Sequence, residues 1–286
     1  MSQTTARPES GLPMGARTRA SGPILFLAVL FVMAVFLSWY FTWFGRDLSE
    51  TKIAEYLNDE QRPRHVQHAL LQIQERLERG DTTARQWYPR LLSLAEHSET
   101  EFRLTVAWVM GSDNGSNEFH QALLRLLQDP EPIVRRNAAL ALLRFGDSAG
   151  RRELLAILEP YTVLAPTAGT VASTLPPDSE LTRGTLIARI ETDGGLTEVR
   201  SPLPGELKQA LVSSGAQVAV GDPLLNINSD EESVWEALRG LALVGEPGDQ
   251  IAVERYLSQH QDVSDRTRQQ AELTVKAISQ RQQGKE

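Results

Sequence analysis

The chain writes one short apolar phrase twice. In "VLAPTAGTV" and again in "VRSPLPGEL", Val163, Pro166, Gly169 and Val171 are answered by Val199, Pro202, Gly205 and Leu207. Downstream, Leu181, Gly184, Ile187 and Ile190 are answered by Val218, Gly221, Leu224 and Ile227, with one residue gained between "STLPPDSEL" and "QALVSSGAQV". A spacing held over that many positions with a single gap marks an internal duplication. Proline and glycine set the turns, glycine because it takes φ angles closed to other residues, and the Val, Leu and Ile between them bury a shared core. Runs such as "TLIARIET", "LTEVRSP" and "DPLLNINS" have the β-branched, turn-punctuated character of small strands. Two equivalent four-strand halves packed face to face predict a small flattened barrel over residues 161–228.

On either side the grammar is helical. Apolar residues at three and four spacing predict helices over 50–58, 63–79, 83–96, 99–111, 116–128, 132–145 and 149–158. After 229 the pattern returns in "DEESVWEALRGLALVG", "DQIAVERYLSQH" and "SDRTRQQAELTVKAISQR", with Ser229 or Asp230 capping the first and Ser264 or Asp265 the last. Such short amphipathic helices cannot each bury a face alone and must stack in pairs. Arg103, Ala107 and Met110 recur as Arg135, Ala139 and Leu142, and Leu142, Gly146 and Leu158 are echoed by Leu241, Gly245 and Leu257. The alternative to a repeat is an irregular helical bundle. The economical architecture is multidomain α and β: one helical stack over 48–160 and 229–283 interrupted by an all-β segment.

The stretch "DPEPIVRRNAALALLRFGDSAGRRELLAIL" resembles a HEAT or HEAT-like repeat, with Asp129 and Pro130 at the turn, Ala138, Ala139 and Leu142 as the seam, and Gly146 and Asp147 closing the helix. Residues 161–228 are similar to the biotinyl/lipoyl domain, the barrel-sandwich hybrid that also serves membrane-fusion adaptors. In carriers of that family the hairpin between the halves presents a modifiable lysine. Here the place falls on Asp193, Gly194 or Gly195 in "ETDGGLTEV", a favoured hairpin turn with no amine, and Lys208, the domain's one lysine, lies on the following strand. The resemblance therefore implies an unmodified docking module with no cofactor. The long coiled coil that fusion adaptors carry between the halves is replaced by a short turn.

Residues 23–44, "PILFLAVLFVMAVFLSWYFTWF", carry no charge and as a helix span roughly 33 Å, enough to cross a bilayer. Trp39, Tyr40 and Trp43 at the far end suit the headgroup interface, whereas a cleaved signal peptide needs a shorter core and a small-residue site. Arg7, Arg17 and Arg19 precede the helix against the single acid Glu9, so the positive-inside bias keeps a disordered tail, 1–22, in the cytoplasm. In a bacterium this predicts a single-pass inner-membrane protein whose bulk is periplasmic. A net charge of −8 argues against nucleic acid as a partner, and with no cysteine there is no disulfide, thiolate metal site or cysteine nucleophile.

No constellation for catalysis emerges. His65 and His68 share a helix face but lack a zinc-enzyme spacing, and His97, His120 and His260 stand alone. "MGSDNGSN" lacks both the phosphate-loop and the nucleophile-elbow patterns and reads as a connector; "SDEES" has acids where a helix N-terminus favours them, and not at a calcium-loop spacing. Trp108 and Met110 fall on the repeat seam, and Trp87 is either core or a partner anchor. No catalytic, cofactor-binding or metal residue is assigned. The expectation is a non-enzymatic scaffold or adaptor for a membrane-associated complex; the rivals are a degenerate carrier subunit of an enzyme and an adaptor of an export system.

Overall fold

The computed structural model describes residues 22–43, 47–260 and 262–283, and for the first helix the side chains of 26–38. The chain divides into two units, Met1–Leu48 and Ser49–Glu286. In the first, α1 (Gly22–Trp43) has no acidic residue in its first turn and no basic one in its last, and its described large apolar side chains, Phe26 to Leu37, are exposed. Among the described residues no helix is long and apolar enough to cross a membrane. The span predicted at 23–44 runs at both ends onto side chains outside that set, and the tail 1–21 lies wholly outside it.

In the second unit, α2 (Glu50–Leu57), α3 (Pro63–Glu78), α4 (Tyr88–Leu94), α5 (Thr100–Met110), α6 (Asn117–Leu126), α7 (Pro132–Arg144) and α8 (Arg151–Ile157) precede the strands, and α9 (Glu231–Val244), α10 (Gln250–Gln259) and α11 (Asp265–Gln283) follow them. One predicted helix, 83–96, is divided: Thr82–Trp87 forms a 3-10 turn capped by Asp81, and α4 begins at Tyr88 with Pro89 in its first turn. Proline lacks the N–H that an uninterrupted helix needs there and is tolerated only near a helix start. Asp230 caps α9 by accepting from the Ser233 N–H at 3.0 Å, and Ser264 accepts from the Thr267 N–H at 3.3 Å at the start of α11.

The stacking is continuous. α3 packs on α5, α5 on α7, α7 on α9 and α9 on α11, while α6 and α8 cover the second side. Across the β segment, α8 lies directly against α9. Arg151 on α8 donates to the buried Asp249 at 2.6 Å and pairs with Glu246 at 3.0 Å, and Arg255 on α10 reaches Glu159 at 3.0 Å. The helices on the two sides of the insertion therefore form one stack.

Entry and exit of the insertion are adjacent because its first and last strands pair. β1 (Tyr161–Leu164) runs antiparallel to β8 (Pro223–Ser229), with Tyr161 opposite Ile227. The remaining strands are β2 (Gly169–Thr174), β3 (Glu180–Leu181), β4 (Leu186–Thr192), β5 (Gly195–Arg200), β6 (Gly205–Ala210) and β7 (Gln217–Val218). They form two antiparallel sheets, ordered β1-β8-β6-β3 and β5-β4-β2-β7. Exchanging the two copies of the phrase turns one order into the other. The irregular hydrogen bonds repeat too: Gly184 N–H donates to Ser201 O at 2.8 Å and Gly221 N–H to Ala165 O at 2.9 Å; Asp178 N–H donates to Leu207 O and Gly215 N–H to Val171 O, both at 2.7 Å. Gly184 and Gly221 sit at φ +87 and +89. A Cβ on Gly169 would lie 2.3 Å from Glu191 O, and one on Gly205 would lie 2.0 Å from Asn228 O, so both positions require glycine for close backbone approach.

Val171, Ile190, Leu207, Leu224 and Ile227 fill the space between the sheets and are fully buried. The barrel expected from the sequence is not closed: the sheets remain separate four-stranded layers, joined by side-chain packing. The reason lies in strand length, since β3 and β7, which end one edge of each sheet, are two residues long and leave little ladder to bridge the layers.

Replacing residues 161–228 by a short Gly-Ser linker is expected to leave the helical stack folded, with the helical circular dichroism expected of the remaining helices. Gly205→Ala in the intact chain is expected to destabilise the β segment by about 2 kcal/mol or more, as an overpacked core position does, read as a lower urea midpoint.

Candidate functional site

The helical repeats are tied at their turns by arginine. Arg103 makes a bidentate pair with Asp129, Nε to Oδ2 at 2.7 Å and Nη2 to Oδ1 at 3.0 Å, and its Nη1 donates to the carbonyls of His97 and Ser98. In the following repeat, Arg135 donates through Nη1 to the carbonyls of Asp129 and Pro130 and through Nε to Glu153 at 3.1 Å. The arginine recurrence in the sequence is thus a device for satisfying the exposed carbonyls of each inter-repeat turn. Burial works to raise the Asp129 pKa, but the Arg103 guanidinium and the Glu131 N–H outweigh it and hold the carboxyl below its ordinary value.

The residues weighed as chemistry are spent on packing. His65 donates through Nδ1 to Asp59 Oδ2 at 2.8 Å and stacks on Tyr56, whose ring also lies 6.1 Å from that of His68. His97 meets Glu60 and Phe102, His120 meets Asp147 at 2.6 Å, and His260 stacks on Tyr256. Among the described residues no three His, Cys, Asp or Glu gather as metal ligands. In "MGSDNGSN", Ser116 caps α6, Asp113 holds the Gly115 N–H and the Tyr88 hydroxyl, and Asn114 donates to Arg144 O at 2.9 Å. "SDEES" fastens α9 to α11: Glu231 accepts from Ser264 and Thr267, and Glu232 pairs with Arg266 at 2.8 Å.

At the hairpin between the β halves, Asp193 and Gly194 make the turn and Thr192 Oγ1 donates to Gly195 O at 2.9 Å. Lys208 points from β6 into solvent. Trp87 is buried under Arg76. Met110 is fully buried, whereas Trp108 is only half-buried, a departure from the core placement expected of both.

Two contacts invisible in the sequence seat the β segment on the helices. Arg183, in the β3–β4 turn, pairs with Glu101 at the start of α5, and Arg136 on α7 donates to Ser229 Oγ at 3.1 Å. Arg136 is buried, which depresses its pKa to about 10, and its Nη1 has no partner among the described residues. These pairs join residues far apart in the chain, and nothing in local composition distinguishes them from surface arginines.

Two of the concave surfaces among the described residues border α9. A cleft of about 720 Å³ lies between the β3/β6 side of the β segment and the ends of α9 and α10, lined by Glu180, Glu206, Asn228, Asp230, Tyr256 and His260. Burial raises the Tyr256 pKa to about 12, so it is a neutral hydroxyl there. A groove of about 420 Å³ runs between α7 and α9, with Trp108, Leu140, Leu143 and Leu243 along it and Arg144 and Arg239 at its margin.

Residues 88–165 match the family model described as HEAT repeats. No curated protein matches the chain. A solved structure described as the structure and function of a single-chain, multi-domain long-chain acyl-CoA carboxylase is similar over 26% of this chain at 24% identity with a TM-score of 0.24; the match spans 8% of that chain.

Asp129→Ala is expected to cost about 1.5–3 kcal/mol, because it removes the charge-assisted bidentate pair with the part-buried Arg103, whose Nη1 keeps its carbonyl partners. With its folded pKa below the model-compound value of 3.8, Asp129 contributes stability above that value and loses it as pH falls through the folded pKa. Urea titrations near neutrality and at low pH check both: the gap between the parent and Asp129→Ala should shrink in acid.

Proposed function

We propose that the chain is a membrane-anchored, non-enzymatic scaffold or adaptor that binds protein partners of a membrane-associated complex. The observation that carries this reading is the continuity of the helical stack through the insertion, held by α8 against α9 and by Arg151 on Asp249. Stacked helix pairs offer an extended surface, each repeat adding a strip, and such surfaces bind proteins rather than small substrates. The match of residues 88–165 to HEAT repeats points the same way.

The β segment is read as a biotinyl/lipoyl-like module serving as a rigid second contact face. In favour stand its two-fold exchange of sheets and the pairing of its ends; against a carrier role stands the hairpin, where Asp193 and Gly194 offer no amine. The uncharged run at 23–44 supports a bilayer anchor, with the N-terminus cytoplasmic and the bulk periplasmic in a bacterial inner membrane. A partner acting through nucleic acid is disfavoured by the acidic balance.

Photo-crosslinking from positions across the helical surface of the full chain in cells tests the reading. Discrete adducts with one or a few membrane-complex proteins are expected, together with retention of the chain in the membrane pellet after alkaline washing and an intact mass without biotin or lipoyl. A soluble, uncrosslinked chain overturns the scaffold, and an added biotin or lipoyl mass favours the carrier subunit.

A further inference from the structure

The groove lies where the helical stack resumes after the β insertion. α9 closes against α8 more than against α7. Gly240 lets α9 approach both neighbours closely, since a Cβ there would lie 2.7 Å from Leu143 Cδ1 on α7 and 2.8 Å from Leu154 Cδ1 on α8. On the α7–α9 side lies a furrow with half-buried Trp108, Leu140 and Leu143 and with Leu243 68% exposed.

The charges at its margin are held ready. The Arg144 guanidinium lies 5.2 Å from the Trp108 ring centre, with its nearest carboxylate, Glu78, at 3.8 Å. Arg239 lies 4.7 Å from the Trp235 ring centre, and no carboxylate is within ion-pair distance of it among the described residues. Arg144 is shared with the exposed Glu78 and donates through Nη1 to Ser112 Oγ at 3.4 Å, whereas Arg239 keeps its N–H edge free; each, packed against an indole, has lost side-chain freedom, which suits it to take a carboxylate from outside. Two arginines against one acid, Glu236, in the lining give the furrow a positive balance in a chain of net charge −8. Glu236, one turn before Arg239 on α9, lines the same groove and competes with an incoming acid for Arg239; burial, with Glu232 and Asp230 nearby, raises its pKa, while Arg239 and Arg266 act the other way. Trp and Arg around a desolvated pocket are also the residue types that dominate binding energy at protein interfaces.

We infer that the α7–α9 groove is the partner-docking site and that it takes a peptide segment carrying apolar side chains flanked by carboxylates, the acids meeting Arg144 and Arg239. This rests on the scaffold reading and narrows it to one surface and one ligand chemistry.

A display library of random peptides, selected on the full chain in detergent micelles, tests it. Enriched peptides are expected to combine Leu-type residues with Asp or Glu, to weaken with added salt, and to lose at least about tenfold in affinity to the chain carrying R144E and R239E, with basic peptides gaining there. L243E, at an exposed position, should weaken binding as well, and Glu236→Gln should strengthen it. Enrichment of basic or uncharged sequences, no enrichment, or binding indifferent to the R144E/R239E pair overturns the assignment. Photo-adducts elsewhere on the stack with no acidic enrichment leave the scaffold standing and remove only the groove; no adducts anywhere remove both.

Discussion

Everything in the larger unit depends on the antiparallel pairing of β1 with β8. Because Tyr161 stands opposite Ile227, the chain leaves the helical stack and returns to it at nearly the same point. A closed excursion of this kind costs the host little, since its ends are already as near as the host's own turn requires. α9 can then take the place against α8 that an uninterrupted repeat would have given it. Had the ends of the duplicated segment emerged on opposite sides, Arg151 could not meet Asp249 and the helices would belong to separate bodies.

The duplication serves the same end in a second way. Two copies of one phrase, each with a left-handed glycine at the same turn and a glycine where two backbones meet, give a core in which Val163, Val171, Leu181, Ile187 and Ile190 have their counterparts in Val199, Leu207, Val218, Leu224 and Ile227 across the pseudo-two-fold. One β3–β4-type turn carries Arg183 and is used against Glu101 on α5; its counterpart carries the exposed Val220. Rigidity thus comes from the symmetric interior, while the seating on the helices comes from places where the copies differ.

Much of this was legible in the sequence. Strand grammar, the repeated Gly184 and Gly221, and the caps at Asp230 and Ser264 are local, and local signals survive without tertiary information. The failures are equally instructive. Gly146 and Gly245 occupy matching places in the repeat, yet only Gly146 is left-handed, at φ +70; Gly245 is needed because a Cβ would press on Leu241 O at 2.5 Å and on Ile278. Trp108 and Met110 share a helix seam, but the α7–α9 spacing decides that one is covered and the other lines a groove. Barrel closure likewise depended on edge-strand length, which spacing of buried residues does not encode.

Hydrogen exchange across the insertion probes the central claim most directly. If the helices before and after the β segment are one nearest-neighbour stack, amides of α8 and α9 should open together, with the same protection and the same response to low urea. Protection of α9–α11 that is lost independently, while α5–α8 remain closed, would contradict it and leave two helical bodies joined only by the β segment.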